Sequence, residues 1–206
     1  NIPLESEYMG AFKVEVDDGG NVTITDNEIL GLRGGTAIDT DIVTTVAPDV
    51  DAYYLPHSVE SEIFKPVKQS DIDEFRKSHF PDDSDDRTIF FWNNRNARRK
   101  QSGTLLWWFK EFLDDVGHDK SRLIMHTDPK DPYGQDLIKM LRDLDVSPNS
   151  IALSTKKVDK PMLAMMYNMA DCTVNISDAE GFGLSTFESL SCGTPIIVNM
   201  TGGLQE

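Results

Sequence analysis

A chain of 206 residues with 39% apolar content can bury a proper core, in one large or two small domains, and is no disordered tail. Its 35 acidic residues against 20 basic ones give a formal charge of −15, which disfavours polyanionic partners such as duplex nucleic acid or an acidic membrane surface. The longest apolar runs, about six residues, are too short for a membrane span or a secretory leader. The two cysteines, Cys172 and Cys192, lack metal-ligand spacing and read as buried free thiols of a reducing compartment, so a cytoplasmic location is expected.

Residues 1–50 read as a β-rich segment. AFKVEVDDGGNVTITD alternates Phe12, Val14 and Val16, then Val22 and Ile24, about Asp18-Gly19-Gly20-Asn21, the pattern of a hairpin. RGGT at 33–36 has no apolar strand before it and no helix after it, so a surface loop is expected rather than a phosphate turn. Residues 51–87 form a linking segment: a short apolar strand ends at Pro56, a polar turn follows, and Ile63-Phe64 gives a second anchor. DIDEFRKSHF then predicts a short surface helix. PDDSDD predicts a solvated loop, because closely spaced aspartates repel one another and nothing in the spacing fixes a calcium-loop geometry.

From Thr88 to the end the pattern is regular. Apolar runs TIFFW, RLIMH, SIALS, CTVNIS and PIIVNM alternate with amphipathic stretches, the signature of a parallel sheet covered by helices on both faces, so residues 88–206 are expected to form a Rossmann-like α/β domain with strand order 3-2-1-4-5. After Ser102, Leu105, Trp108, Phe109, Phe112 and Val116 fall at helical spacing, and so do Leu137, Met140, Leu141 and Leu144 in the next helix. PMLAMMYNMA opens with Pro161, suited to a first helical turn, and its methionines read as core filling.

Two loops at the carboxyl ends of these strands carry the chemistry. NNRNARRKQSG at 93–103 places four cations in an otherwise acidic chain just ahead of a helix. EGFGLSTFESLSCGTPIIVNMTGGLQE at 180–206 runs through a glycine turn, a helix, a strand and a second glycine turn. Gly181 and Gly183 allow a ligand close to the main chain, and a helix starting near Leu184 aims unpaired N–H groups and its positive dipole end at that ligand. Glu180 and Glu188 flank this turn. Carboxylates are poor phosphate ligands but good acceptors from hydroxyl pairs, which points to a ligand that is half phosphate and half sugar.

The 180–206 stretch resembles the donor-binding signature of retaining glycosyltransferases with the GT-B fold, family 4 in particular: Glu180, Glu188, Cys192, Gly193, Pro195, the apolar 196–198, Gly202, Gly203 and Glu206 match in order and spacing. Pro56 to Glu60 and Phe64-Lys65-Pro66 resemble that family's interdomain segment, with His57, Ser58 and Glu60 where the family has Asn, Gly and Asp. The resemblance implies a GT-B C-terminal domain, incomplete at its end, with residues 1–50 as a remnant of the N-terminal domain. It implies a hexosyltransferase moving a sugar, with retention, from a nucleoside diphosphate sugar to an unknown glycan, lipid or protein acceptor, and needing no metal or other cofactor.

By position it assigns the donor diphosphate to Arg95 and Lys100, although Asn94 stands where the family has Gly. It assigns the ribose hydroxyls to Glu188, the transferred sugar to Glu180 with the backbone of Gly181, Phe182, Gly183 and Leu184, and the base to the loop that includes Val158. Glu180, Arg95 and Lys100 are the catalytic candidates. The full-length protein would be cytoplasmic or peripheral to a membrane. The rival expectations are a non-catalytic nucleotide- or sugar-binding or interaction domain, and a nucleotide-sugar epimerase of the same fold.

Overall fold

The computed structural model describes residues 57–80 and 87–205 together with two earlier strands, Lys13–Val16 (β1) and Val22–Thr25 (β2). These strands pair antiparallel, Val14 opposite Ile24 and Val16 opposite Val22, as the alternation predicts. The loop expected at 33–36 and the aspartate run at 82–86 lie outside the described residues, as does the strand expected before Pro56. The chain divides into two units, one of residues 57–178 and 183–199, the other of residues 1–56, 179–182 and 200–206.

The larger unit holds a sheet of five parallel strands: Thr88–Asn93 (β3), Ser121–His126 (β4), Ile151–Ser154 (β5), Cys172–Asn175 (β6) and Ile196–Val198 (β7). Their order is β5-β4-β3-β6-β7, the expected 3-2-1-4-5. Because side chains alternate across a strand, the central strands β3 and β4 each feed two cores. Trp92, Leu123 and Met125 join Leu106, Phe109, Leu113 and Leu137 on one face, while Ile89, Phe91 and Ile124 join Ala164, Met166, Tyr167 and Met169 on the other. Burial on both faces is why the strand centres, 89–92 and 123–125, read as continuous apolar runs.

The crossovers are the helices Ser102–Val116 (α2), Leu137–Asp143 (α3), Lys160–Met169 (α4) and Leu184–Ser191 (α5), and Gln69–His79 (α1) precedes the sheet. Helix α1 packs Ile72 and Phe75 onto the second core. Helix α4 is capped by Asp159, whose carboxylate accepts from the Met162 amide at 2.9 Å, and carries Pro161 in its first turn, where no amide donor is needed.

Two local readings need correction. In α2 the buried stripe is Leu105, Leu106, Phe109 and Leu113, whereas Trp108, Phe112 and Val116 face solvent at 55%, 37% and 42% exposure. Residues 105–109 are apolar without interruption, so periodicity alone could not select the face. Of the cysteines, Cys192 is buried, and desolvation pushes its thiol up to about 11, while Cys172 is only half-buried.

Candidate functional site

Strand order reverses between β3 and β6, which opens a crevice at their carboxyl ends where open α/β sheets take their ligands. The loop leaving β3 is fixed there by buried polar groups. Asn96, fully buried, accepts from the Ser102 hydroxyl at 2.6 Å through Oδ1 and donates to the Gln135 carbonyl at 2.7 Å through Nδ2. Gly134 lies so close to Asn96 that a Cβ there would overlap its carbonyl and side-chain amide. Gln101 sits at φ 55° and ψ 33°, a left-handed conformation that costs a non-glycine residue about 1 kcal/mol. Its side chain offsets this by donating to Asp178 at 2.5 Å and accepting from Thr104 at 2.7 Å. The Asp178 amide in turn donates to the Arg99 carbonyl at 2.8 Å, so the β3–α2 and β6–α5 loops are laced together across the crevice. Ser102→Ala leaves the buried Asn96 oxygen without this donor and is expected to lower stability by roughly 1 to 2 kcal/mol, read as a lower urea midpoint at unchanged slope.

The cations of this loop are not equivalent. Lys100 is buried at 7% exposure, and Arg98 and Arg99 are exposed. Arg95 is exposed and turns to the loop after β4, where its Nε donates to Asp131 Oδ2 at 2.6 Å and its Nη2 to Oδ1 at 3.3 Å, with the guanidinium 4.9 Å from the centre of the Tyr133 ring. The hydrogen bond from Arg95 holds the Asp131 carboxyl below the usual carboxylate range, and the same bond raises Arg95. Arg95 is a fixed charge whose present acceptor is a carboxylate that a phosphate can replace.

Across the crevice α5 begins at Gly183, whose φ of 80° and ψ of 48° suit glycine, and which as the residue at the helix start offers no side chain to cap the first turn. The Leu184 and Ser185 amides therefore stand at the positive end of the helix as donors. The turn before it is anchored by Asn175, fully buried, whose Oδ1 accepts from the Ser177 hydroxyl at 2.5 Å and whose Nδ2 donates to Thr186 at 3.3 Å.

One turn into α5, Glu188 is half-buried, and its Oε2 accepts from the Tyr167 hydroxyl at 2.8 Å. The Tyr167 oxygen accepts from Asn93 Nδ2, also at 2.8 Å. This chain of bonds sets Glu188 beside the last residue of β3, two residues from Arg95 in sequence. Burial pushes the Glu188 carboxyl up, against the opposing effects of the Tyr167 hydrogen bond and of Lys160. Lys160 itself pairs with Glu60. Val158, half-buried ahead of α4, packs on the second core. His126, the last residue of β4, shares a 2.9 Å hydrogen bond with Ser154 at the end of β5, and burial holds its ring below the ordinary imidazole range.

The smaller unit contains Glu180, Gly181 and Phe182. Glu180 is buried, and the Gly203 amide donates to the Glu180 carbonyl at 3.3 Å and to the Gly181 carbonyl at 3.1 Å. Gly202, at φ 52°, lies against the Glu180 carbonyl, and a Cβ on Gly203 would meet the Gly181 oxygen. Gly202 and Gly203 thus brace the backbone of Glu180 and Gly181.

Of the residues singled out in the sequence, the larger unit carries Arg95, Lys100, Val158, Gly183, Leu184 and Glu188, and the smaller carries Glu180, Gly181 and Phe182. Sequence reasoning missed Asn93, His126, Asp131, Tyr133, Tyr167 and Asp178. Tyr167 alone gave a signal: a phenol within an apolar helix needs a hydrogen-bond acceptor. Among the described residues no group of three or more His, Cys, Asp or Glu side chains is arranged to hold a metal ion, and no helix is long and apolar enough to cross a membrane.

Residues 73–206 match the family model of glycosyl transferases group 1. The chain is 25% identical over 175 residues to an alpha-monoglucosyldiacylglycerol synthase of Streptococcus pneumoniae, an alignment covering 84% of this chain and 38% of that protein. A D-inositol 3-phosphate glycosyltransferase of Thermomonospora curvata is 48% identical over 46 residues, 22% of this chain and 11% of that one. In fold, the chain is similar to a sucrose-phosphate synthase from Thermosynechococcus elongatus, with a TM-score of 0.62 at 22% identity over 84% of this chain and 41% of that one. The chain thus spans less than half the length of these relatives.

Proposed function

We propose that this chain, which belongs to the glycosyl transferases group 1 family, supplies the donor-binding half of a glycosyltransferase that takes a sugar from a nucleoside diphosphate sugar and passes it, with retention, to an acceptor. The observation that carries this reading is the pairing of unlike groups at one switch-point crevice. Arg95 and the glycine-led start of α5 suit an anion, and Glu188, held beside the end of β3, suits hydroxyls.

In this reading Arg95, Lys100 and the α5 amides take the diphosphate, Glu188 takes the ribose, and the base lies along the loop that includes Val158. Glu180 is assigned to the transferred sugar by the resemblance of its sequence motif. As the bond between the anomeric carbon and the phosphate oxygen breaks, its electron pair passes to that oxygen. Fixed cations stabilise this growing charge more than they stabilise the ground state. The acceptor hydroxyl oxygen bonds to the same face of the anomeric carbon, and its proton passes to the departing phosphate. Two cations and a helix terminus neutralise the diphosphate in this scheme, so it needs no divalent metal.

Calorimetric titration with uridine, guanosine and adenosine diphosphates and with inorganic pyrophosphate tests the reading. At least one nucleoside diphosphate should bind at a single site, more tightly than pyrophosphate, with an affinity unchanged by EDTA. A folded protein that binds none of them would overturn it.

A further inference from the structure

The chain of bonds from Asn93 through Tyr167 to Glu188 has a direction set by chemistry. A side-chain NH2 can only donate, so the Tyr167 oxygen accepts from Asn93, and the single phenolic hydrogen must then go to Glu188. The opposite amide orientation would turn the phenol's hydrogen toward Asn93 and leave its lone pairs facing a carboxylate. Tyr167 is itself closely packed: fully buried, it meets the Phe91 ring edge-on at 5.2 Å and 81° and the Phe64 ring at 6.2 Å and 65°. Glu188 Oε2 is therefore committed, while Oε1 accepts no hydrogen bond among the described residues.

We infer that Tyr167 is a positioning residue for donor recognition: it fixes the Glu188 carboxylate through Oε2 so that Oε1 is presented to the hydroxyls of a ribose, and Asn93 fixes the phenol. The inference rests on the reading of Glu188 as the ribose acceptor. The hydroxyl also acts on the charge of Glu188, since its hydrogen bond opposes the upward push of burial. The other groups coupled to Glu188 are Lys160 at the start of α4 and the Cys192 thiol just beyond α5. A ribose lacking its hydroxyls, or a ligand with no ribose, gains nothing from this arrangement.

Tyr167→Phe keeps the ring in its aromatic nest and removes only the hydroxyl. Its affinities for uridine, guanosine and adenosine diphosphates are measured against their 2′,3′-dideoxy counterparts and inorganic pyrophosphate, alone and in combination with Glu188→Gln. The expected result is a loss of roughly tenfold for the ribonucleotide that binds, no change for the dideoxy form or pyrophosphate, and little added loss when Glu188→Gln is already present.

If Glu188→Gln weakens the ribonucleotide and Tyr167→Phe does not, the positioning role is wrong and the ribose reading stands. If Glu188→Gln has no effect, the ribose reading fails and the inference with it. Equal weakening of all ligands by Tyr167→Phe would mean that the hydroxyl only supports the fold. Should Tyr167→Phe not fold cooperatively, Asn93→Ala removes the other end of the chain of bonds and is read by the same outcomes.

Discussion

Arg95→Ala is expected to weaken inorganic pyrophosphate and nucleoside diphosphates alike, by about ten- to a hundredfold at low salt, because the lost contacts are charge-assisted bonds to phosphate, which both ligands share. Arg95 is exposed, so the loss should shrink as ionic strength rises. The present ion pair sharpens the prediction. Asp131 holds Arg95 through both carboxylate oxygens, so an incoming phosphate replaces one acceptor with another rather than filling a void. Asp131→Asn keeps the shape and removes the competing charge, and pyrophosphate affinity should rise. Titration of both variants at two salt concentrations reads both effects. A nucleoside diphosphate loss in Arg95→Ala without a pyrophosphate loss would place Arg95 away from the phosphates.

The sheet was legible in the sequence because its signal is local. Strands buried on both faces are apolar through their centres, and β3 and β4 announce themselves within six residues each. The start of α5 was legible for a similar reason, since Gly183 supplies the left-handed turn at that boundary. What escaped is long-range. The bonds that orient Glu188 connect residues 21 and 74 positions apart, and the acceptor of Arg95 lies 36 residues away in a loop with no apolar pattern. Gly202 and Gly203 were visible as a glycine pair, but their reason, the close approach of the Glu180 and Gly181 carbonyls, is a fact of tertiary structure. Even α2, correctly placed, had an ambiguous buried face, because residues 105–109 offer an apolar side chain in every direction.

Glu188→Gln should separate function from stability in opposite directions. Burial raises the folded-state pKa of Glu188 above its unfolded value. Its stability contribution is therefore fully present below the unfolded carboxylate pKa and is lost as pH rises through the folded pKa, so near neutral pH the ionised side chain costs the fold something. Gln carries no charge to desolvate and retains an oxygen that can accept from Tyr167. Thermal stability near neutral pH should consequently be no lower than in the parent protein, and the difference between the two should close as pH falls below the carboxylate range. Affinity should move the other way. Ribose hydroxyls that donate to a carboxylate make bonds worth roughly 1.5 to 3 kcal/mol, and losing that charge should weaken nucleoside diphosphates by about ten- to a hundredfold while leaving pyrophosphate unchanged. Melting curves across pH, set beside calorimetric titration of the two ligands, measure both arms. A carboxylate that costs stability yet is required for the ribose half of the ligand is kept for binding. A variant that melts earlier and loses both ligands equally would instead make Glu188 a structural member of the Tyr167 network.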